Sequence, residues 1–164
     1  MDDQSLHTDD CVEEVINEYS RTVYKLAFAR TRNKSDAEDV FQEVFLRYIR
    51  RHQTFESKEH EKAWFIRVTV NCCKNIWNSP FRKRTQPLEE CTVVSEIDEV
   101  NQLEQFLLEL PIDYRVIIHL FYYEDLSTSQ ISKILHKKES TVRVQLTRGR
   151  RLLKEIMEGA GFHA

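Results

Sequence analysis

Residues 127–153 read STSQISKILHKKESTVRVQLTRGRRLL. Ser127 with Gln130 three residues on is a capping box, and Ile131, Ile134 and Leu135 behind it give a short helix its apolar face. His136-Lys-Lys138 then makes a tight turn, lacking the usual Gly, before a second helix starts near Ser140. At about 100° per residue, Val142, Leu146, Gly149 and Leu153 share one face of that helix, while Ser140, Val144, Thr147, Arg148 and Arg151 point the opposite way. One face packs. The other offers small, hydroxyl and guanidinium groups flanked by Lys137, Lys138, Arg143 and Arg150, which suits a helix that reads base edges while its neighbours hold phosphates. A merely basic, solvated face on a helical hairpin is the plainer alternative.

Working outward, Leu103, Phe106, Leu107 and Leu110 predict a short helix stopped before Pro111, and Tyr114 to Tyr123 a strongly apolar one. Upstream, periodicity fades from Asn78 to about Val100, where Pro80 and Pro87 intervene and Arg82-Lys-Arg84 gives way to Glu89, Glu90, Glu96, Asp98 and Glu99. That stretch reads as a linker. Further back, Val12, Val15, Ile16, Tyr19, Val23, Leu26 and Ala27 recur at helical steps between Asp10 and Arg30. Asn33-Lys-Ser35 ends that helix, and Ser35 with Glu38 predicts a capping box for a second one burying Ala37, Val40, Phe41, Val44, Phe45 and Tyr48. Residues 51–59 read as a polar loop with one aromatic, Phe55, and a third helix covers roughly 60–77.

The whole chain has 164 residues, 41% apolar and 31% charged, with only three Gly and three Pro. This balance excludes collagen, linker polymers and β-sandwiches and fits a helix-rich globular protein. Apolar runs such as Val116 to Tyr123 are far shorter than the roughly 20 residues of a membrane span. The first 20 residues carry seven acids and no Lys or Arg, unlike a signal peptide, so a cytoplasmic protein without membrane insertion is expected. The net charge of −3 conceals a basic block at 21–87, an acidic one at 88–125 (net −9) and a second basic one at 126–164 (net +5). Two basic blocks on one chain suggest two polyanion-facing surfaces.

Cys11, Cys72, Cys73 and Cys91 form no CxxC pair and have no His at metal spacing, so no structural zinc or disulfide framework is expected; Cys72 and Cys73 read as small apolar fillers. In the third helix, Trp64, Arg67, Asn71, Lys74, Asn75 and Asn78 form a narrow stripe on an otherwise apolar cylinder. An aromatic plane, two cations and several amides on one line suit unpaired bases; an ordinary half-buried core residue is the plainer alternative for Trp64 judged alone. The second helix carries Asp36, Glu38, Asp39, Gln42 and Glu43. Without a His partner these acids suggest a protein-binding face rather than catalysis, and those early in the helix also complement its dipole.

Taken together, these residues resemble the extracytoplasmic-function (ECF) subfamily of the sigma-70 family of bacterial RNA polymerase sigma factors. The resemblance rests on Asp36-Ala-Glu-Asp-Val-Phe-Gln-Glu-Val-Phe-Leu46, similar to region 2.2, and on Trp64-Phe-Ile-Arg-Val-Thr-Val-Asn71, similar to regions 2.3 and 2.4. Leu110-Pro-x-x-Tyr-Arg115, Phe121-Tyr-Tyr-Glu-Asp-Leu-Ser127 and Thr141-Val-Arg-x-x-Leu-x-Arg-x-Arg150 resemble region 4. It implies an all-α chain: an acidic tail (1–10), a region 2 domain (11–78), a flexible acidic linker (79–100), a region 4 helix-turn-helix domain (101–158) and a short tail (159–164). It implies no chemistry of its own and no cofactor. Asp36, Asp39, Gln42 and Glu43 would dock on the clamp helices of the largest polymerase subunit, and region 4 on the flap of the second-largest. Phe55 in its loop, Trp64, Arg67, Asn71, Lys74 and Asn75 would bind the melted minus-10 strand. Lys137, Lys138, Ser140, Thr141, Arg143, Val144, Thr147, Arg148 and Arg151 would serve the minus-35 major groove. An anti-sigma factor is a further partner class. Val144-Gln145 stands where many relatives have Ser-Arg, and Asn75 where Asp is common, so promoter sequence does not carry over. Two other readings compete with this one. A helix-turn-helix regulator needs a ligand pocket or dimer face in the first 78 residues, and a carboxylate-dependent helical hydrolase needs His ligands that are missing.

Overall fold

The structure, a computed structural model, describes residues 3–51, 54–78 and 102–162. The expected linker at 79–100, with its prolines, its charge reversal and Cys91, lies outside the described residues. Seven helices are seen among the described residues, and no strand: α1 (Asp3–Thr31), α2 (Lys34–Arg51), α3 (Lys58–Trp77), α4 (Gln102–Leu108), α5 (Ile112–Tyr122), α6 (Thr128–Leu135) and α7 (Glu139–Gly159). Two compact units divide them: α1 up to Phe28 with α2 and α3, and Ala29–Asn33 with α4 to α7.

In the first unit, Val15, Tyr19 and Val23 of α1 meet Val40, Val44 and Phe45 of α2 and Phe65, Cys72 and Cys73 of α3 in one core. Tyr19 stacks on Phe65 with ring centroids 4.5 Å apart. Burying a side chain as large as Phe65 contributes about 1.5–3 kcal/mol, so one helical period repeated on three helices is enough to assemble the unit. Cys72 and Cys73 are buried as apolar fillers, and burial pushes the Cys72 thiol up.

Three boundaries differ from expectation. Helix α1 starts at Asp3, so most of the expected acidic tail is helical; apolar periodicity marks only where a helix has something to pack against. The break after α1 falls at Arg32, which takes a left-handed φ of 54°. Since α2 begins at Lys34, Ser35 lies inside the helix and does not serve as its N-cap. In front of α3, Ser57 is the cap, and its Oγ accepts from the His60 N–H at 3.1 Å.

The second unit is built around α5, whose Val116, Ile117, Ile118 and Leu120 are essentially fully buried. Helix α7 crosses α5 at Gly149, where an added Cβ would lie 2.8 Å from Ile118 Cδ1 and 3.2 Å from Tyr114 Cβ. Only a glycine lets the two helices approach so closely. At its end, Gly161 (φ 82°) donates to Glu158 O at 3.0 Å and Phe162 N–H to Met157 O at 2.9 Å. This Schellman closure turns the chain back, so Phe162, expected in a short tail, packs on Phe106 at 5.9 Å.

Candidate nucleic-acid interface

The expected capping box of α6 is present: Ser127 Oγ accepts from the Gln130 N–H at 3.1 Å, and Gln130 Oε1 from the Ser127 N–H at 2.9 Å. The turn after it succeeds without glycine because His136 itself takes the left-handed conformation, φ 53°. Such a residue costs about 1–2 kcal/mol. Ser132 offsets part of this: its carbonyl accepts from the Lys137 N–H at 3.1 Å, and its Oγ donates to Lys137 O at 2.7 Å. The two helices are therefore held in register by hydrogen bonds rather than by a flexible residue.

On α7 the two faces separate as the periodicity predicts. Val142, Leu146 and Gly149 are buried, whereas Ser140, Thr141, Arg143, Val144, Thr147, Arg148 and Arg151 are exposed. Val144, 46% exposed in the middle of the outer face, is an apolar group with no core to fill, which suits contact with a thymine methyl. Thr147 Oγ1 donates to Arg143 O at 3.0 Å, so toward an outside ligand it offers its methyl and its lone pairs.

The basic residues around this face are not equivalent. Among the described residues Lys138, Arg148 and Arg151 carry no ion pair. Lys137 is half-buried, with Nζ 3.7 Å from Asp113 and 3.4 Å from Gln145 Oε1. Arg143 Nη2 lies 2.7 Å from Glu139 Oε1. Arg150, expected to flank the reading face, turns elsewhere: its Nε donates to Tyr122 Oη at 2.6 Å, and its guanidinium lies over the Phe121 ring at 5.2 Å. There it borders an apolar groove of about 420 Å³ lined by Leu103, Leu107, Ile118, Met157 and Phe162. Sequence reasoning missed that groove. Exposed Tyr122 and Tyr123 were its one local sign, but their environment depends on where α4 and the end of α7 pack.

The α3 stripe is exposed over part of its length. Asn71, Lys74, Asn75 and Asn78 are exposed, and Arg67 is partly so, with its Nε enclosed and without a hydrogen-bond partner. Trp64 corrects the expectation of an open stacking platform, being only 8% exposed. It stands on the border between the polar stripe and the apolar arc, and its ring lies on the apolar side, 5.0 Å from Phe65, 5.7 Å from Phe55 and 6.1 Å from Tyr48. Phe55 stacks on Tyr48 at 6.4 Å with 7° between the planes. It closes the aromatic cluster at the mouth of the α2–α3 connection, half-buried and next to solvent.

On α2, Asp39 and Gln42 are exposed. Glu43 is engaged by Arg47 Nε at 2.7 Å, a bond that raises the Arg47 pKa. Asp36 is corrected: at 7% exposure it has little surface to offer a partner. Steps of four set it over Val40 and Val44, both fully buried, and its first-turn position suits a carboxylate. Among the described residues no His, Cys, Asp and Glu cluster could hold a metal, and no helix is long and apolar enough to cross a membrane.

Two family models match the chain, sigma-70 region 2 over residues 15–84 and sigma-70 region 4 over residues 101–153. The RNA polymerase sigma factor SigV of Bacillus subtilis is 28% identical over 143 residues, covering 85% of this chain and 86% of SigV. The ECF RNA polymerase sigma factor SigW of the same organism is 27% identical over 165 residues, covering 89% of this chain and 88% of SigW. Among solved structures, the sigma factor RpoE of Bartonella quintana, in complex with the anti-sigma factor NepR, superposes with a TM-score of 0.70 at 17% identity, covering 89% of this chain and 96% of that one. With both region models matched in order and relatives aligned along most of its length, the chain belongs to the ECF subfamily of the sigma-70 family of RNA polymerase sigma factors.

Proposed function

We propose that this transcription-initiation factor works without chemistry of its own, in the cytoplasm, by dividing core-polymerase binding and promoter reading among four surfaces. Ser140, Thr141, Val144, Thr147 and Arg148 read the minus-35 major groove, with Arg143 beside them, while Lys138 and Arg151 hold phosphates. The observation that carries this reading is the separation of faces on α7: a fully buried Val142 lies on the same helix as an outer face of hydroxyls, one apolar group and guanidinium groups, of which those of Arg148 and Arg151 carry no ion pair among the described residues.

In the region 2 unit, Arg67, Asn71, Lys74 and Asn75 contact the melted minus-10 strand. Phe55 meets an extruded base at the edge of the cluster, and Trp64 supports Phe55 from behind. Asp39 and Gln42, with Glu43 beside them, dock on the clamp helices of the largest subunit. The apolar groove with Tyr122 and Phe162 gives region 4 a surface for the flap of the second-largest. The region 2 and region 4 domains meet the linker near residues 78 and 101. The neighbouring complex of a sigma factor with an anti-sigma factor supports a partner of that class here too.

Co-elution with purified bacterial core polymerase tests the docking face. Asp39→Arg should weaken a roughly 1:1 complex while leaving the helical circular dichroism intact. Unchanged core binding would remove α2 from the interface.

A further inference from the structure

We infer that Glu139 is a positioning residue for DNA reading: it collars Arg143, so that this arginine presents its remaining N–H groups to a base instead of neutralising a phosphate. The inference rests on the reading of α7 as the major-groove helix. The Glu139 carboxylate is fixed from two sides, with Oε1 accepting from Thr128 Oγ1 at 3.0 Å and from Arg143 Nη2 at 2.7 Å. Thr128 opens α6 and Glu139 opens α7, so one oxygen ties the starts of both helices of the motif together. Its first-turn position adds the favourable helix dipole, and an acid four residues before a base is the better order for such a pair.

The anchored acid is the less exposed partner, 38% against 66% for Arg143. Arg143 therefore pivots about a fixed point. One guanidinium nitrogen is spent on the collar, and the pair carries no net charge toward the DNA. Arg148 and Arg151, on the same face, have no such collar among the described residues. The outer face thus carries one arginine restrained by a carboxylate and two without that restraint, of which Arg148 is placed at the base edges and Arg151 at a phosphate.

The test uses the full chain in holoenzyme, on duplexes that the wild-type holoenzyme selects from a pool randomised at the minus-35 element. Binding is followed over about 50–200 mM salt, where each phosphate contact adds roughly 0.9 to the slope of log affinity against log salt. Glu139→Gln keeps an oxygen for Thr128 but removes the charge. It should steepen the slope by about one, an extra three- to fourfold loss of affinity across that range. The pair Glu139→Gln with Arg143→Ala should return the slope to the wild-type value and lose on the order of tenfold discrimination at one base pair. An unchanged slope in Glu139→Gln, or full discrimination in the double variant, overturns the collar. Arg148→Ala separates the two levels: if it leaves minus-35 preference intact, the reading of α7 itself fails and the inference falls with it.

Discussion

Gly149 offers a quantitative handle on how the reading helix is seated. Gly149→Ala places a methyl 2.8 Å from Ile118 Cδ1 and 3.2 Å from Tyr114 Cβ. Ile118 is only 1% exposed, so its terminal methyl has little room to move aside. Overpacking of this kind costs about 1–3 kcal/mol, while replacing glycine in a helix interior returns about 1 kcal/mol. The single variant should therefore lose about 0–2 kcal/mol, the difference of those two terms. Ile118→Val alone removes Cδ1 and should cost about 0.5–1.5 kcal/mol. Combined, the two changes exchange one methyl for another across the same gap, so the double variant should be more stable than the sum of the singles by at least about 1 kcal/mol. Hydrogen exchange read by mass spectrometry on peptides from α5 and α7 gives the opening free energies. Additivity within about 0.5 kcal/mol would refute the claim that the α5–α7 approach is limited by this contact.

Trp64→Ala should destabilise the region 2 unit by about 3–5 kcal/mol, seen as an early denaturation transition, whereas a solvent-facing tryptophan would cost little. Arg148→Ala should lose about 1–3 kcal/mol of discrimination at one base pair in binding selections, whereas Arg151→Ala should weaken all sequences alike and lower the salt slope by about one. The Tyr19 hydroxyl is held well above its ordinary value of 10.0, by burial first and then by its hydrogen bond to Glu61. Its stabilising contribution is complete below pH 10 and is lost as the pH rises toward the folded-state value. Tyr19→Phe should therefore flatten the alkaline loss of stability in the region 2 unit, measured by denaturation at pH 9 to 11, and an unchanged profile would remove Tyr19 from that linkage.

The parts legible in the sequence were those set by one helix's own period. Both faces of α7 and the Ser127 cap need only steps of three and four residues to be seen, and the burial of Cys72 and Cys73 only the apolar character of a free thiol. The losses came where a second element decides. Trp64 sits on a border that periodicity places on either side, and Tyr48 and Phe55, brought near by the α2–α3 connection, provide its packing on the inner side. Asp36 looked like surface because it is charged, yet its register with Val40 and Val44 overrides its chemistry. Arg150 and Arg151 are adjacent and alike in sequence; only the position of Tyr122, 28 residues earlier, assigns the first to an aromatic contact. Long-range partners of this kind leave no periodic trace.

The central claim, that the outer face of α7 directs this chain with core polymerase to particular promoters, is tested most directly by run-off transcription. The chain and purified bacterial core polymerase are presented with genomic fragments, and the minus-35 element of each responding fragment is then randomised. The account predicts discrete transcripts that need the chain, depend on the minus-35 sequence, and change their preference at one base pair when Arg148 is replaced by Ala. Discrete transcripts whose strength ignores the minus-35 sequence, or no chain-dependent transcript from any fragment, would contradict it.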